Sequence, residues 1–211
     1  MTLYEYLLET YQANEPIFSS DIFVDVDGIS EVNVRRQLKK MTDQGKLKRY
    51  DTGIYYLPKK SIFKSGTQLS PEKVIEKKYL KEKGQLCGYV SGLIFFNQLG
   101  LTTQVPMQYE IVSNKATSDY REASLSKARI IIRRPRVFVT EDNYKILQFL
   151  DLIKDLDEYA EISGRELSER IFAYMKKLQL CFSQLEPYLQ YYPDRIYKNM
   201  YKVGILNGIS A

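Results

Sequence analysis

The sequence contains no histidine and only two cysteines, Cys87 and Cys181. A structural zinc site needs about four Cys or His ligands, so none can be assembled from this chain. The missing imidazole also removes Ser-His-Asp and Cys-His nucleophilic chemistry, leaving carboxylates and lysines as the remaining candidate catalysts. Two distant thiols without a CxxC pair fit a reducing compartment. Long apolar runs are missing too: none approaches the roughly 20 residues needed to cross a bilayer. The start, Met1-Thr2-Leu3-Tyr4-Glu5, lacks the basic and apolar regions of a secretory signal. A cytoplasmic protein with no membrane partner, metal or cofactor is expected. No GxxxxGK(S/T) phosphate loop, internal repeat or low-complexity tract occurs.

What is present is globular in character. The 211 residues are 44% hydrophobic and 27% charged, which fits one or two folded domains and no long disordered tail. The net charge of +5 is modest, but it is unevenly laid out. Residues 1–34 carry seven acids and no Lys or Arg; residues 35–49 then carry seven bases against Asp43 alone. Such a switch turns one surface toward a polyanion and keeps the rest away from it.

The first 60 residues read as a DNA-binding unit. Thr2 and Glu5 form a capping-box pattern ahead of Leu3, Tyr4, Leu7, Leu8 and Tyr11 at helical spacing. Ser19 or Ser20 can cap a short second helix holding Ile22, Phe23 and Val24, followed by a turn over Asp25-Val26-Asp27-Gly28. Ser30 caps a third helix that runs to Gln44 and is closed by Gly45. Its apolar stripe is Val34, Leu38 and Met41, while Val32, Arg36, Lys39, Lys40 and Asp43 lie opposite, flanked by Asn33 and Arg35. Two short β runs, Lys46–Tyr50 and Ile54–Leu57, then surround Asp51-Thr52-Gly53 as a hairpin. Three helices followed by a two-stranded wing is the winged helix–turn–helix order. Glu31, Asn33, Arg35, Arg36, Lys39 and Lys40 are the candidate base-reading and phosphate-contacting residues of the recognition helix, and Lys46, Lys48 and Arg49 those of the wing. A lone charged helix is more often an ordinary solvated face; the ordered series of turn, helix, glycine stop and basic hairpin favours a nucleic-acid partner.

Residues 61–69 read as a linker, and 70–211 as a mixed α/β C-terminal domain with a small sheet and several helices, giving an α+β chain. Ser70-Pro71 opens a helix expected to reach Lys83, with Lys73, Lys77, Lys78 and Lys81 as candidate phosphate contacts. Gly88 to Leu101 reads as a buried helix ended by Gly100. Strands are expected over Tyr109–Ser113, Tyr120–Leu125 and Ala128–Val139. Residues 115–136 hold seven bases and two acids. Within them Arg129, Arg133, Arg134 and Arg136 either extend a phosphate footprint or act as edge charges that block aggregation. A helix capped near Thr140–Asn143 leads into Asp151, Asp155, Asp157, Glu158 and Glu161. Further helices follow Ser163 and surround Pro187 and Pro193. Asp155-Leu156-Asp157 is the nearest approach to a metal-binding acidic pair, and no catalytic residue is expected.

The order of winged helix, lysine-rich helix and Cys87-Gly88-Tyr89-Val90-Ser91-Gly92 through Asn97-Gln98-Leu99-Gly100-Leu101-Thr102-Thr103-Gln104-Val105-Pro106 resembles the AbiEi antitoxin family. Glu110 to Asn114, Ile132-Arg133-Arg134-Pro135 and Asn143 to Asp151 resemble its later blocks. The resemblance implies the antitoxin of a type IV toxin–antitoxin operon linked to abortive phage infection. Such a protein represses its own promoter by binding inverted repeats in double-stranded DNA. It counters a nucleotidyltransferase-like toxin without a stable complex, and its C-terminal domain carries the antitoxicity and a basic DNA-binding surface. A monomer in solution that binds cooperatively on DNA is expected. The main alternative is a winged-helix regulator outside such an operon, sensing a ligand in an apolar pocket lined by Tyr89, Phe95, Phe96 and Tyr109. A third is an enzyme using Asp155 and Asp157 around a metal.

Overall fold

A computed structural model describes residues 2–25, 29–59 and 68–208. The turn ending in Gly28 and most of the expected linker lie outside the described residues. The chain divides into two compact units, Met1–Lys77 and Lys78–Ala211.

In the first unit α1 (Leu3–Thr10) begins with a complete capping box: the Thr2 hydroxyl accepts from the Glu5 N–H, and the Glu5 carboxylate accepts from the Thr2 N–H. α2 (Ser19–Asp25) and α3 (Glu31–Asp43) follow, then β2 (Lys48–Asp51) and β3 (Ile54–Tyr56). β1 (Ile17–Phe18), unforeseen in the sequence, adds a third strand in the order β1-β3-β2, pairing Ile17 with Tyr55 and Phe18 with Ile54. Two residues are too few to show a period, so only the pairing reveals this strand. Leu3, Leu7, Ile22, Val34 and Leu38 meet in one core, so the stripes of the three helices converge as their spacing demands.

The helix α4 (Pro71–Ile75), capped by Ser70, is short. It passes into a π-helical turn at Glu76–Leu80 and then a hairpin of β4 (Lys81–Glu82) and β5 (Gln85–Leu86). The expected helix to Lys83 is therefore wrong beyond Leu80. Lys83 and Gly84 have φ of +48° and +84°, the two positive values that a tight primed turn requires. α4 also belongs to the first unit rather than to a C-terminal domain starting at residue 70. Lys73 Nζ donates to the Asn14 carbonyl at 3.2 Å, and Lys77 Nζ pairs with Glu15 Oε1 at 3.1 Å above the Tyr11 ring.

The second unit is built on a four-stranded sheet in the order β6-β7-β9-β8. Its strands are β6 (Gly88–Ser91), β7 (Gln108–Ser113), β8 (Tyr120–Leu125) and β9 (Ala128–Arg133), with β7 and β9 parallel and the outer pairs antiparallel. Gly88–Ser91 is thus a strand rather than the start of the expected helix; only α5 (Gly92–Gln98) is helical. A Cβ on Gly88 would lie 2.5 Å from the Val112 carbonyl oxygen, so a side chain there would force the two strands apart. β9 stops at Arg133 instead of reaching Val139, since Pro135 has no N–H for the ladder. α6 (Tyr144–Lys154) and α7 (Leu156–Tyr159) follow, then α8 (Gly164–Leu178), α9 (Phe182–Leu189) and α10 (Arg195–Lys202). Phe96, Phe149, Ile153, Leu185, Ile196 and Met200 share the main core. Phe95 and Phe96 are buried in it, so they do not line the apolar ligand pocket considered from sequence.

Gly92 joins β6 to α5 with φ +62°, and a Cβ there would sit 2.5 Å from the Glu110 carboxylate. Gly92→Ala combines left-handed strain with displacement of a buried acid and should destabilise the chain by at least about 2 kcal/mol in urea unfolding. Gly45→Ala is the comparison: its φ is +71° but its surroundings are open, so it should cost only about 1 kcal/mol. Equal losses would show that the contact with Glu110 is unimportant.

Candidate nucleic-acid interface

Two basic surfaces arise, one on each unit. α3 starts at Ser30, whose hydroxyl accepts from the Asn33 N–H at 3.4 Å. Val34, Leu38 and Met41 are buried. Helical geometry then leaves Glu31, Val32, Asn33, Arg35, Arg36, Lys39 and Lys40 exposed. Arg36, Lys39 and Lys40 have no ion pair among the described residues. Arg35 differs: its Nη2 holds Glu31 Oε2 at 2.9 Å and its guanidinium lies over the Phe23 ring at 5.3 Å. Val32 is 73% exposed.

The hairpin carries its cations less freely. Lys46 is exposed, with its ammonium 5.0 Å from the centre of the Tyr4 ring. Lys48 is half-buried and is paired across the ladder with Tyr56. Arg49 reaches over its own turn, donating to the Asp51 carbonyl and the Thr52 hydroxyl at 3.3 Å each.

The C-terminal basic residues are divided between the two units. Lys73 and Lys77 are held by Asn14 and Glu15 in the first unit, as described above. Lys78 lies over the Tyr79 ring, and Lys81 is exposed on the β4 edge. Arg129 is exposed on β9, with Arg121 and Lys127 exposed nearby in sequence. Arg133 instead pairs with the buried Glu110 at 3.0 Å, Arg134 with Asp119 at 3.4 Å, and Arg136 donates to the Tyr191 carbonyl at 3.2 Å. These last three arginines line a cleft of about 330 Å³ together with Ser91, Asp151 and Lys154.

Beside that cleft lies a buried ionic network built from residues of the acidic run that follows the Thr140–Asn143 cap. Asp151, Lys154 and Asp155 are 8%, 6% and 5% exposed. Lys154 Nζ sits 2.6 Å from Asp155 Oδ2 and 3.8 Å from Asp151 Oδ1; Arg195 Nη2 reaches Asp155 Oδ1 at 2.7 Å. The Tyr89 hydroxyl donates to Asp151 Oδ2 at 2.7 Å. Burial raises the pKa of Asp151, although Lys154 and the Tyr89 hydrogen bond oppose the shift. Asp157 is pulled down by its hydrogen bond to Lys202, with Lys198 adding to the effect. Of the two carboxylates of the Asp-Leu-Asp motif, Asp155 is thus held by Lys154 and Arg195 and Asp157 by Lys198 and Lys202. Among the described residues no cluster of His, Cys, Asp and Glu is arranged to hold a metal, and no helix is long and apolar enough to cross a membrane. Spacing of i, i+3 and i+4 on α6 placed Asp151, Lys154 and Asp155 near one another; their burial had no local signal.

The fold and these surfaces define a two-unit α+β protein, with an exposed basic helix followed by a hairpin in one unit and an arginine-lined cleft in the other. The chain belongs to DUF6088, a family of unknown function, whose model matches residues 9–157. That span runs from α1 into α7 and includes α3, the hairpin, the sheet and the cleft. No curated protein matches the chain at a significant level.

Proposed function

We propose that the chain is a repressor that binds double-stranded DNA through a winged helix–turn–helix in its first unit. The observation that carries the reading is the row of Arg36, Lys39 and Lys40, exposed on the face of α3 opposite its buried stripe and unpaired among the described residues. A helix of this kind can enter a major groove, where arginine and lysine contact guanine edges and phosphates and Asn33 can pair with adenine. Val32 offers an apolar contact to a thymine methyl group. Lys46, Lys48 and Arg49 on the hairpin approach the phosphates, and Arg129 on the second unit adds a further contact. Arg35, tied to Glu31 in an exposed pair worth little, can be redirected at low cost.

Within this reading the chain is the antitoxin of a type IV operon, repressing its own promoter at inverted repeats and countering a nucleotidyltransferase-like toxin without a stable complex. The resemblance to AbiEi antitoxins supports that part. The reading assigns the chain no reaction, a cytoplasmic location and cooperative binding of two copies on DNA.

The test is a gel shift of the full chain on the DNA upstream of its own gene, across a salt series. Specific binding is expected, with log K falling linearly with log salt, by about 0.9 for each phosphate contacted. Arg129→Gln should flatten the slope by about one contact. Absence of specific binding at every salt concentration would end the repressor reading.

A further inference from the structure

The cleft of the second unit has a composition that the DNA reading does not explain. Its floor is one face of the sheet, where the register places Val112 opposite Arg133 and Glu110 opposite Ser91. One wall is the last turn of α6, with Asp151 and Lys154; the rim is the Arg134-Pro135-Arg136 segment that leaves β9. Four cations therefore line it. Asp119 and Asp151 are the lining acids, and Asp119 is 91% exposed, so its pairing with Arg134 is readily exchanged.

Three features point to an anionic occupant. Arg136 has no ion pair among the described residues; it is held in place by the Tyr191 carbonyl and the Tyr192 ring. Arg133 donates to Glu110 through Nη2, but its Nε is buried with no hydrogen-bond partner, and a buried donor left without an acceptor is costly. Asp151, the acid on the wall, is displaced by burial toward its neutral form, which repels an anion less. Arginine forks match the oxygens of a phosphate group. A volume of about 330 Å³ lies at the small end of ligand sites and does not admit a duplex.

We propose that this cleft binds a phosphate monoester, the doubly charged group carried by a mononucleotide or by the 5′ end of a nucleic-acid strand. Arg134 and Arg136 grip its oxygens from the rim, and the Arg133 Nε–H and Lys154 face it from the interior.

The experiment is titration of the full chain, followed by ³¹P NMR and calorimetry, with inorganic phosphate, adenosine 5′-monophosphate, and a tetranucleotide with and without a 5′-phosphate. Saturable binding of phosphate and of the monophosphate is expected. The Arg134→Gln/Arg136→Gln variant, changed only at exposed side chains, should lose at least about tenfold in affinity with an unaltered melting curve. Arg165→Gln, exposed on α8 and outside the cleft, should lose nothing. A 5′-phosphorylated tetranucleotide that binds more tightly than the mononucleotide identifies a strand end as the natural source; equal or weaker binding identifies the free nucleotide. The proposal is overturned by absence of saturable binding to the wild-type chain, by equal loss in Arg165→Gln, or by equal binding of the unphosphorylated tetranucleotide. It does not rest on the repressor reading: Arg36, Lys39 and Lys40 are untouched, and the promoter gel shift of the same samples reports on them separately.

Discussion

Replacing Arg36 and Lys39 together by alanine should weaken binding to the promoter's inverted repeat by at least about 30-fold, since each groove or phosphate contact of this kind is worth about 1–3 kcal/mol. Both side chains are exposed on the face of α3 that turns away from Val34, Leu38 and Met41. Neither has an ion pair among the described residues, so no internal contact is lost. Stability should stay within about 0.5 kcal/mol of wild type, which separates loss of binding from loss of fold. Arg35→Ala should weaken binding less, as this side chain must first leave Glu31 and the Phe23 ring. Undiminished affinity in the double variant would remove α3 from the interface and with it the main support for a DNA-reading first unit.

The largest expected loss of stability is at Asp155. Its carboxylate takes Lys154 on one oxygen and Arg195 on the other. Asp155→Ala leaves Lys154, only 6% exposed, with Asp151 at 3.8 Å as its remaining partner. Breaking a buried pair by removing one member costs about 3–5 kcal/mol, which for a chain of this size lowers the melting temperature by about 10 °C. Asp157→Ala is the contrast. That carboxylate is 43% exposed and holds Lys198 and Lys202 at the surface, a setting in which ion pairs contribute about 1 kcal/mol or less. A metal-binding or catalytic role for the Asp-Leu-Asp motif would instead make both replacements abolish function while leaving stability alike. Thermal unfolding of the two single variants distinguishes these outcomes.

The ionic network explains why part of the sequence misled. From sequence, Asp151, Asp155 and Asp157 read only as part of an acidic run that continues to Glu158 and Glu161. Their actual surroundings come from Tyr89, 62 positions before Asp151, and from Arg195, 40 positions after Asp155. The same distance effect set the partners of the expected C-terminal basic residues. Lys73 and Lys77 turned toward Asn14 and Glu15, while Arg133, Arg134 and Arg136 gathered at a cleft whose opposite wall is α6. Candidates on α3 fared differently, because their exposure follows from the periodicity of one helix.

By itself the sequence determined the elements whose signals are local. The Thr2–Glu5 capping box, the Ser30-to-Gly45 helix with its stripe at Val34, Leu38 and Met41, the hairpin around Gly53 and the strands at β7 and β8 all depend on neighbours within about four residues or on a two-residue alternation. Tertiary structure alone decided whether Gly88–Ser91 became strand or helix. A short run of small and apolar residues is compatible with both, and the choice was made by pairing with Glu110–Ser113 some twenty residues later. It also decided which charges are buried and which are free. A side chain's partner is chosen by the packing of distant elements, and nothing in its own neighbourhood along the chain encodes that choice.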